Sequence, residues 1–256
     1  QGYGLFVDGR LISGEYTGAG AVTLNAVAGS SEPWYNTFND NHADGLYIHS
    51  RGAVLLTNVQ AIDNGGQGVE VDNTLSLSPL PVILNSVSNL RSQLWENGQE
   101  GLLVLSKGAV TINNISVWQN GTDGANIQTL GPVTIKTTST TIPFNAFNSN
   151  GGLGLNILTP AAVVVMNTST SSNTSDGLYI DNTSALTSAA VTLTNIRAQG
   201  NSSDGIEIYS KGNVLLTSIS SNSNSNTGMY VNNSFGTLGN VTLTGTTNGF
   251  QYNEYG

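Results

Sequence analysis

The sequence predicts an all-β solenoid, in which short parallel strands are wound into about nine coils that alternate between 23 residues and longer lengths. Three observations carry that prediction. A phrase built as Asn, three residues, Gly, apolar, any residue, apolar returns along the chain, as in Asn41 to Ile48, Asn64 to Val71, Asn120 to Ile127 and Asn201 to Ile208. Its glycines are Gly4, Gly45, Gly68, Gly101, Gly124, Gly154, Gly177, Gly205, Gly228 and Gly256, and every second interval between them is 23 residues. Within those 23-residue units the distances Gly45 to Val54, Gly101 to Val110, Gly154 to Val163 and Gly205 to Val214 are all nine, and Asn64, Asn120, Asn173 and Asn224 follow those valines by ten.

Each element of the unit has a physical reason. The first and third residues after each described Gly, such as Leu46/Ile48, Val69/Val71 and Leu178/Ile180, are all apolar, and the residue between them is mixed. That alternation places one set of side chains on one face of a strand. A second run, Val54-Leu-Leu56, Val110-Thr-Ile112, Val163-Val-Val165 and Val214-Leu-Leu216, supplies another strand to each turn. A unit this short cannot bury its apolar face alone, so copies must stack, with strands pairing in parallel between successive coils at ~4.8 Å. Nine coils then give a rod roughly 43 Å long. Parallel crossovers are nearly always right-handed, so the coil is expected to be right-handed. The repeated amides of Asn41, Asn64, Asn97, Asn120, Asn150, Asn173, Asn201 and Asn224 are expected to form a hydrogen-bonded ladder. The repeated Gly is read as giving the corner backbone freedom.

The full form Asn-x-x-Asp-Gly-apolar-x-apolar, at Asn41, Asn120, Asn173 and Asn201, resembles the repeat of right-handed parallel β-helix proteins of the pectate-lyase-like superfamily. In character it is closest to long bacterial surface or adhesin-like repeat proteins. The resemblance spans essentially the whole chain and implies a right-handed parallel β-helix as one domain over residues 1–256. Lyases, hydrolases, epimerases, tailspikes and surface proteins share that fold, so it does not select an activity.

Composition narrows the partners. Only 9% of residues are charged, against about 25% in ordinary domains, so the walls are Asn, Ser, Thr and Gly. A net charge of −9 with seven basic residues argues against nucleic acid or an anionic membrane. No Cys is present, which removes disulfides and thiolate metal sites, and no apolar run reaches the ~20 residues that span a bilayer. The chain opens on Gln1 with no signal segment, which reads as a processed product or a piece of a longer protein. Eight Asn-x-Ser/Thr sequons, including Asn114, Asn120, Asn173, Asn182 and Asn201, mostly reflect composition.

Along the chain the first coil carries an insert between Val27 and Asn41, where Pro33, Trp34, Tyr35 and Phe38 suggest a folded loop. Further insertions lie at 72–81, 137–148 and 181–188, and their small and apolar residues point to packing or a subunit contact. The tail Asn253 to Gly256 is in phase with the head Gln1 to Gly4 and neither shows a cap. Unpaired strand edges at such ends invite another chain to add, so either copies stack end to end or a longer β-helix continues covalently.

The second and fourth positions after each Gly point outward. In register, Asp8, His49 and Asp72 stack on adjacent coils near Glu70 and Arg51, which offers an acid/base set for a lyase, hydrolase or epimerase. No complete catalytic motif appears, so the leading expectation assigns no catalytic residue. Tyr47, Tyr179, Tyr209 and Tyr230, with Phe6, could stack on sugar rings, although their spacing does not read as one continuous strip. Trp95, Trp118 and Phe147 read as packing at the turn. Two degenerate copies of a calcium-binding nonapeptide, at Gly65 and Gly151, lack its Asp, so neither metal nor cofactor is expected. The expectation is a structural, extracellular or cell-surface β-helix. A carbohydrate-active enzyme or a glycan-binding module is the alternative, and a polysaccharide is the second expected partner.

Overall fold

A computed structural model describes residues 2–9, 20–25, 34–87, 89–139, 141–236 and 239–255. Within them the strands pair in parallel and fall into two sheets of nine and fourteen strands. The nine-stranded front sheet runs Leu5–Asp8, Leu46–His49, Val69–Asp72, Leu102–Ser106, Ala125–Thr129, Leu155–Leu158, Leu178–Asp181, Ile206–Tyr209 and Met229–Asn232. Each strand pairs with the next without a slip, so Leu46, Val69, Leu102, Ala125, Leu155, Leu178 and Ile206 form one inward column and Ile48, Val71, Val104, Ile127, Ile157, Ile180 and Ile208 another. All fourteen are fully buried. A one-residue slip would turn both columns out to solvent, which is why burial fixes the register.

The larger sheet closes the coil. In earlier turns it consists of two short strands, such as Val54–Thr57 and Val59–Ile62, or Val110–Asn113 and Ile115–Trp118. In later turns these merge into long bent strands, Val163–Ser169, Val191–Gln199 and Val214–Asn222. The bend has a repeated cause: Asn58, Asn114, Asn167, Asn195 and Ser218 all have φ of 48–57°, a left-handed geometry that Asn tolerates better than most residues. Val82, Val110, Val133, Val163, Val191 and Val214 stack in one column and Leu84, Ile112, Ile135, Val165, Leu193 and Leu216 in a second, and both belong to one continuous core with the front-sheet columns. Phe147 is fully buried in that core. Trp95 and Trp118 meet edge-on at 5.3 Å on the outside of the corner, where the Trp95 indole donates to the Ser116 carbonyl at 3.1 Å.

The amide column runs the length of the rod. Asn41 Nδ2 donates to Asn64 Oδ1 at 2.8 Å, and the same bond joins Asn64 to Asn97, Asn97 to Asn120, Asn120 to Asn150, Asn150 to Asn173, Asn173 to Asn201, Asn201 to Asn224 and Asn224 to Asn253. Each acceptor oxygen also takes the backbone N–H of the preceding Asn, at 3.0–3.2 Å. Asn253 is a rung that the sequence analysis did not single out, although it lies 29 residues after Asn224.

The repeated glycines need a different explanation from the one expected. Left-handed backbone is found instead at the residue before each ladder Asn, namely Asp40, Asp63, Glu96, Gln119, Ser149, Ser172, Gly200, Ser223 and Tyr252, with φ of 55–64°. The glycines of the phrase lack Cβ because the next coil lies directly on them. At Gly45, Gly68, Gly124, Gly154, Gly177 and Gly205 a Cβ would come within 2.5–2.8 Å of the next Asn Nδ2. Close approach, not conformational freedom, is the requirement.

Residues 26–33 of the first-coil insert, and Gln1 and Gly256 of the in-phase ends, lie outside the described residues. Trp34 in that insert is exposed, while Phe38 packs against the core. The sequon asparagines Asn114, Asn120, Asn173, Asn182 and Asn201 are buried, so the folded chain does not present them to a glycosylating enzyme.

Candidate functional site

The outward positions of the front sheet form two straight rows. One reads Phe6, Tyr47, Glu70, Leu103, Asn126, Asn156, Tyr179, Glu207, Tyr230; the other reads Asp8, His49, Asp72, Leu105, Gln128, Leu158, Asp181, Tyr209, Asn232. Their side chains alternate with the inward columns, so the strands that build the core also display this face.

At one end the face is aromatic. The Phe6 and Tyr47 rings stack at 5.0 Å with planes 5° apart, and Tyr3 lies 5.1 Å from Phe6. Asp8, His49 and Asp72 lie side by side as register requires. His49 Nε2 is 3.3 Å from Asp72 Oδ2, and Asp72 Oδ1 accepts from the Thr74 N–H at 2.8 Å and hydroxyl at 2.6 Å. His49 is only 8% exposed, so little of the imidazole is open to a substrate.

At the other end Tyr209 lies between Tyr179, at 5.9 Å, and Tyr230, at 5.8 Å, with Phe235 at 6.3 Å. Three of the four tyrosines therefore make one patch. Tyr47 stands apart, five strand spacings or roughly 24 Å from Tyr179.

Between the two aromatic ends lies a cleft of about 630 Å³, floored by Leu105, Gln128 and Leu158 and bounded by Thr74, Asp181 and Ser184. Its walls are the insertions at 72–81 and 181–188, which fold alike. Thr183 donates to Asp181 Oδ1 through N–H and hydroxyl, at 2.8 and 2.7 Å, as Thr74 does to Asp72. Asn73 Nδ2 reaches the Leu80 carbonyl at 2.9 Å, and Asn182 Nδ2 the Ala189 carbonyl at 2.8 Å. Lys107 and Lys211, from the following coil in each case, brace the loops by donating to the carbonyls of Ser76 and Ala185. The three strands between the loops turn without insertion, which leaves a gap roughly 19 Å across. The loops, expected to serve packing or a subunit contact, wall a cleft. The duplicated Asp-Asn-Thr at Asp72 and Asp181 was the available signal.

The family profile described as right handed beta helix region matches residues 28–187 and again 100–256. The chain belongs to the right-handed β-helix family. No curated protein and no solved structure matches it significantly.

The β-helix carries several carboxylates on and beside this face. Burial chiefly, then the negative charges of Asp44, Asp72 and Glu100, push the Glu70 carboxyl up to about 7. Burial also raises Asp44, Asp123 and Glu207. The hydrogen bond that Tyr209 donates to Glu207 Oε1 at 2.7 Å pushes the tyrosine up to about 12. Among the described residues no three His, Asp or Glu side chains converge as cation ligands.

Glu70 gives the β-helix an unusual pH response. Below its ordinary value of 4.5 the carboxyl is protonated in both folded and unfolded chains. As pH rises from 4.5 to about 7, the unfolded chain ionises first and stability falls; above that range the whole penalty is present. Glu70→Gln should therefore raise stability near pH 8 by on the order of 1 kcal/mol, a figure reduced for solvent screening of a half-exposed group. The gain should vanish in acid, and paired thermal melts of variant and parent would check it.

Proposed function

We propose that the front face of this β-helix binds an extended carbohydrate without cleaving it. The carrying observation is the cleft between two matching loops, set in line with aromatic residues at both ends. From Tyr47 to Tyr230 the face covers seven strand spacings, roughly 34 Å, a length suited to a chain of sugars rather than to one small molecule. Sugar rings present apolar C–H faces that stack on tyrosine while their hydroxyls bond to side chains such as Gln128 and Asn126. The burial of His49 against Asp72 supports binding over turnover by Asp8, His49 and Asp72.

Replacing Tyr179 and Tyr209 together by Ala should weaken glycan binding at least about fivefold, taking ~0.5–1.5 kcal/mol for each stacked ring. Titration calorimetry with a glycan identified by array screening would measure it, and unchanged affinity would remove this surface from consideration.

A second reading is a structural rod within an extracellular, adhesin-like fibre, formed by copies stacked end to end or by covalent continuation. The unbroken amide column and slip-free pairing across the front sheet support it, because such stacking makes a stiff element. Electron microscopy of the native material distinguishes the two readings: continuous rods favour the fibre, whereas discrete particles that bind glycan favour the first.

A further inference from the structure

We propose that the patch formed by Tyr179, Tyr209, Tyr230 and Phe235 takes an amine-bearing sugar, with the ammonium group held against the tyrosine rings and Glu207. The inference rests on the carbohydrate reading of the front face and narrows it to a cationic glycan.

The patch is a cluster of rings, not a single platform. Tyr209 is central, and the three rings around it are inclined to its plane by 48°, 57° and 62°. Tyr230 and Phe235 are well exposed, at 43% and 48%. Because the rings are inclined to one another, an ammonium group on a sugar stacked against one of them can meet the negative face of the next.

Charge selects the same ligand. The eighteen outward positions of the front sheet hold five carboxylates, Asp8, Glu70, Asp72, Asp181 and Glu207, and neither Lys nor Arg. Asp176 and Asp204 act on Glu207 from the adjoining turns. Lys107 and Lys211, which lie beyond the strand ends, donate to the carbonyls of Ser76 and Ala185. A polyuronate would meet repulsion along this face. A protonated amino sugar gains from both the ring faces and the negative charge of the carboxylates, a gain that a neutral glycan lacks.

The experiment compares two probes of equal length by titration calorimetry at low salt: a β-1,4-linked glucosamine oligomer with free amines and its fully N-acetylated counterpart. The free-amine oligomer should bind at least about tenfold tighter, the equivalent of ~1.4 kcal/mol, and added salt should erode that preference. Glu207→Gln should reduce the preference severalfold while still unfolding in one cooperative thermal transition, and Tyr209→Ala should weaken the free-amine oligomer most. Equal affinity for the two oligomers, or a preference unaltered in Glu207→Gln, would overturn the inference. Binding of a neutral glycan in place of both oligomers would overturn it while leaving the carbohydrate reading intact. Failure of every glycan to bind would remove both.

Discussion

Asn120→Ala should destabilise the protein by on the order of 4 kcal/mol, a large loss for one side chain outside the apolar core. Asn120 Oδ1 accepts from the Asn97 N–H at 3.1 Å and from Asn97 Nδ2 at 2.9 Å, and Asn120 Nδ2 donates to the Leu94 carbonyl and to Asn150 Oδ1, both at 3.0 Å. Truncation removes all four bonds in a site that is 3% exposed, where water cannot replace them freely. Each buried group left without a partner costs ~1–3 kcal/mol. Urea unfolding at unchanged m-value would report the loss. Asn126→Ala, an outward position on the same turn, should stay within about 0.5 kcal/mol of the parent. Asn120→Asp provides a sharper check. An ionised carboxylate there still accepts from Asn97 but faces the Asn150 oxygen with no donor. This variant should therefore be destabilised near neutral pH and recover part of the loss in acid, when its carboxyl can donate. A cost for Asn120→Ala no greater than that for Asn126→Ala would mean that the amide column contributes no stability.

Gly124→Ala should cost on the order of 3 kcal/mol although it adds a single methyl group. That methyl would lie 2.5 Å from both Asn150 Nδ2 and the Gly154 carbonyl oxygen, atoms that belong to the next coil. Relief requires either breaking the Asn120 to Asn150 rung or prising apart two strands held in register by the core. Gly2→Ala is the control, since nothing lies within 4 Å of the added carbon, and it should be neutral. Comparable denaturation midpoints for the two variants would show that the coils can separate there at little cost. The same geometry ties the two repeated residues together: Gly is required in one coil because the amide of Asn occupies the adjoining position in the next.

The tilt of the electrostatics has a related origin. The phrase that builds the corner often places an acidic residue before the Gly, as in Asp44, Glu100, Asp123, Asp176 and Asp204. Stacking brings Asp44 and Glu100 beside the outward carboxylate Glu70, and Asp176 and Asp204 beside Glu207. A chain with few charges thus concentrates negative charge along one face, and that concentration, more than the net charge, governs what the face can attract.

Much of this architecture was legible in the one-dimensional spacing, because each coil contacts chiefly its neighbours and a constant interval becomes a constant register. The inward columns, the pairing of Asp8 with His49 and His49 with Asp72, and the bond from one Asn to the next all follow from counting residues between glycines. Asn253, 29 residues after Asn224, was legible by the same count. What spacing could not supply was distance across the coil or diagonally over the face. The requirement for Gly came from the approach of the following turn. Tyr209 meets Tyr179 and Tyr230 diagonally, between rows, where strand order alone gives no contact. The burial of His49 and the rise of Glu70 depend on packing over the face, and the cleft depends on how residues 72–81 and 181–188 fold. The periodic apolar pattern, fixed by the need to bury one face of every strand, determined the solenoid; non-periodic insertions and lateral packing, which no repeat constrains, decided the site.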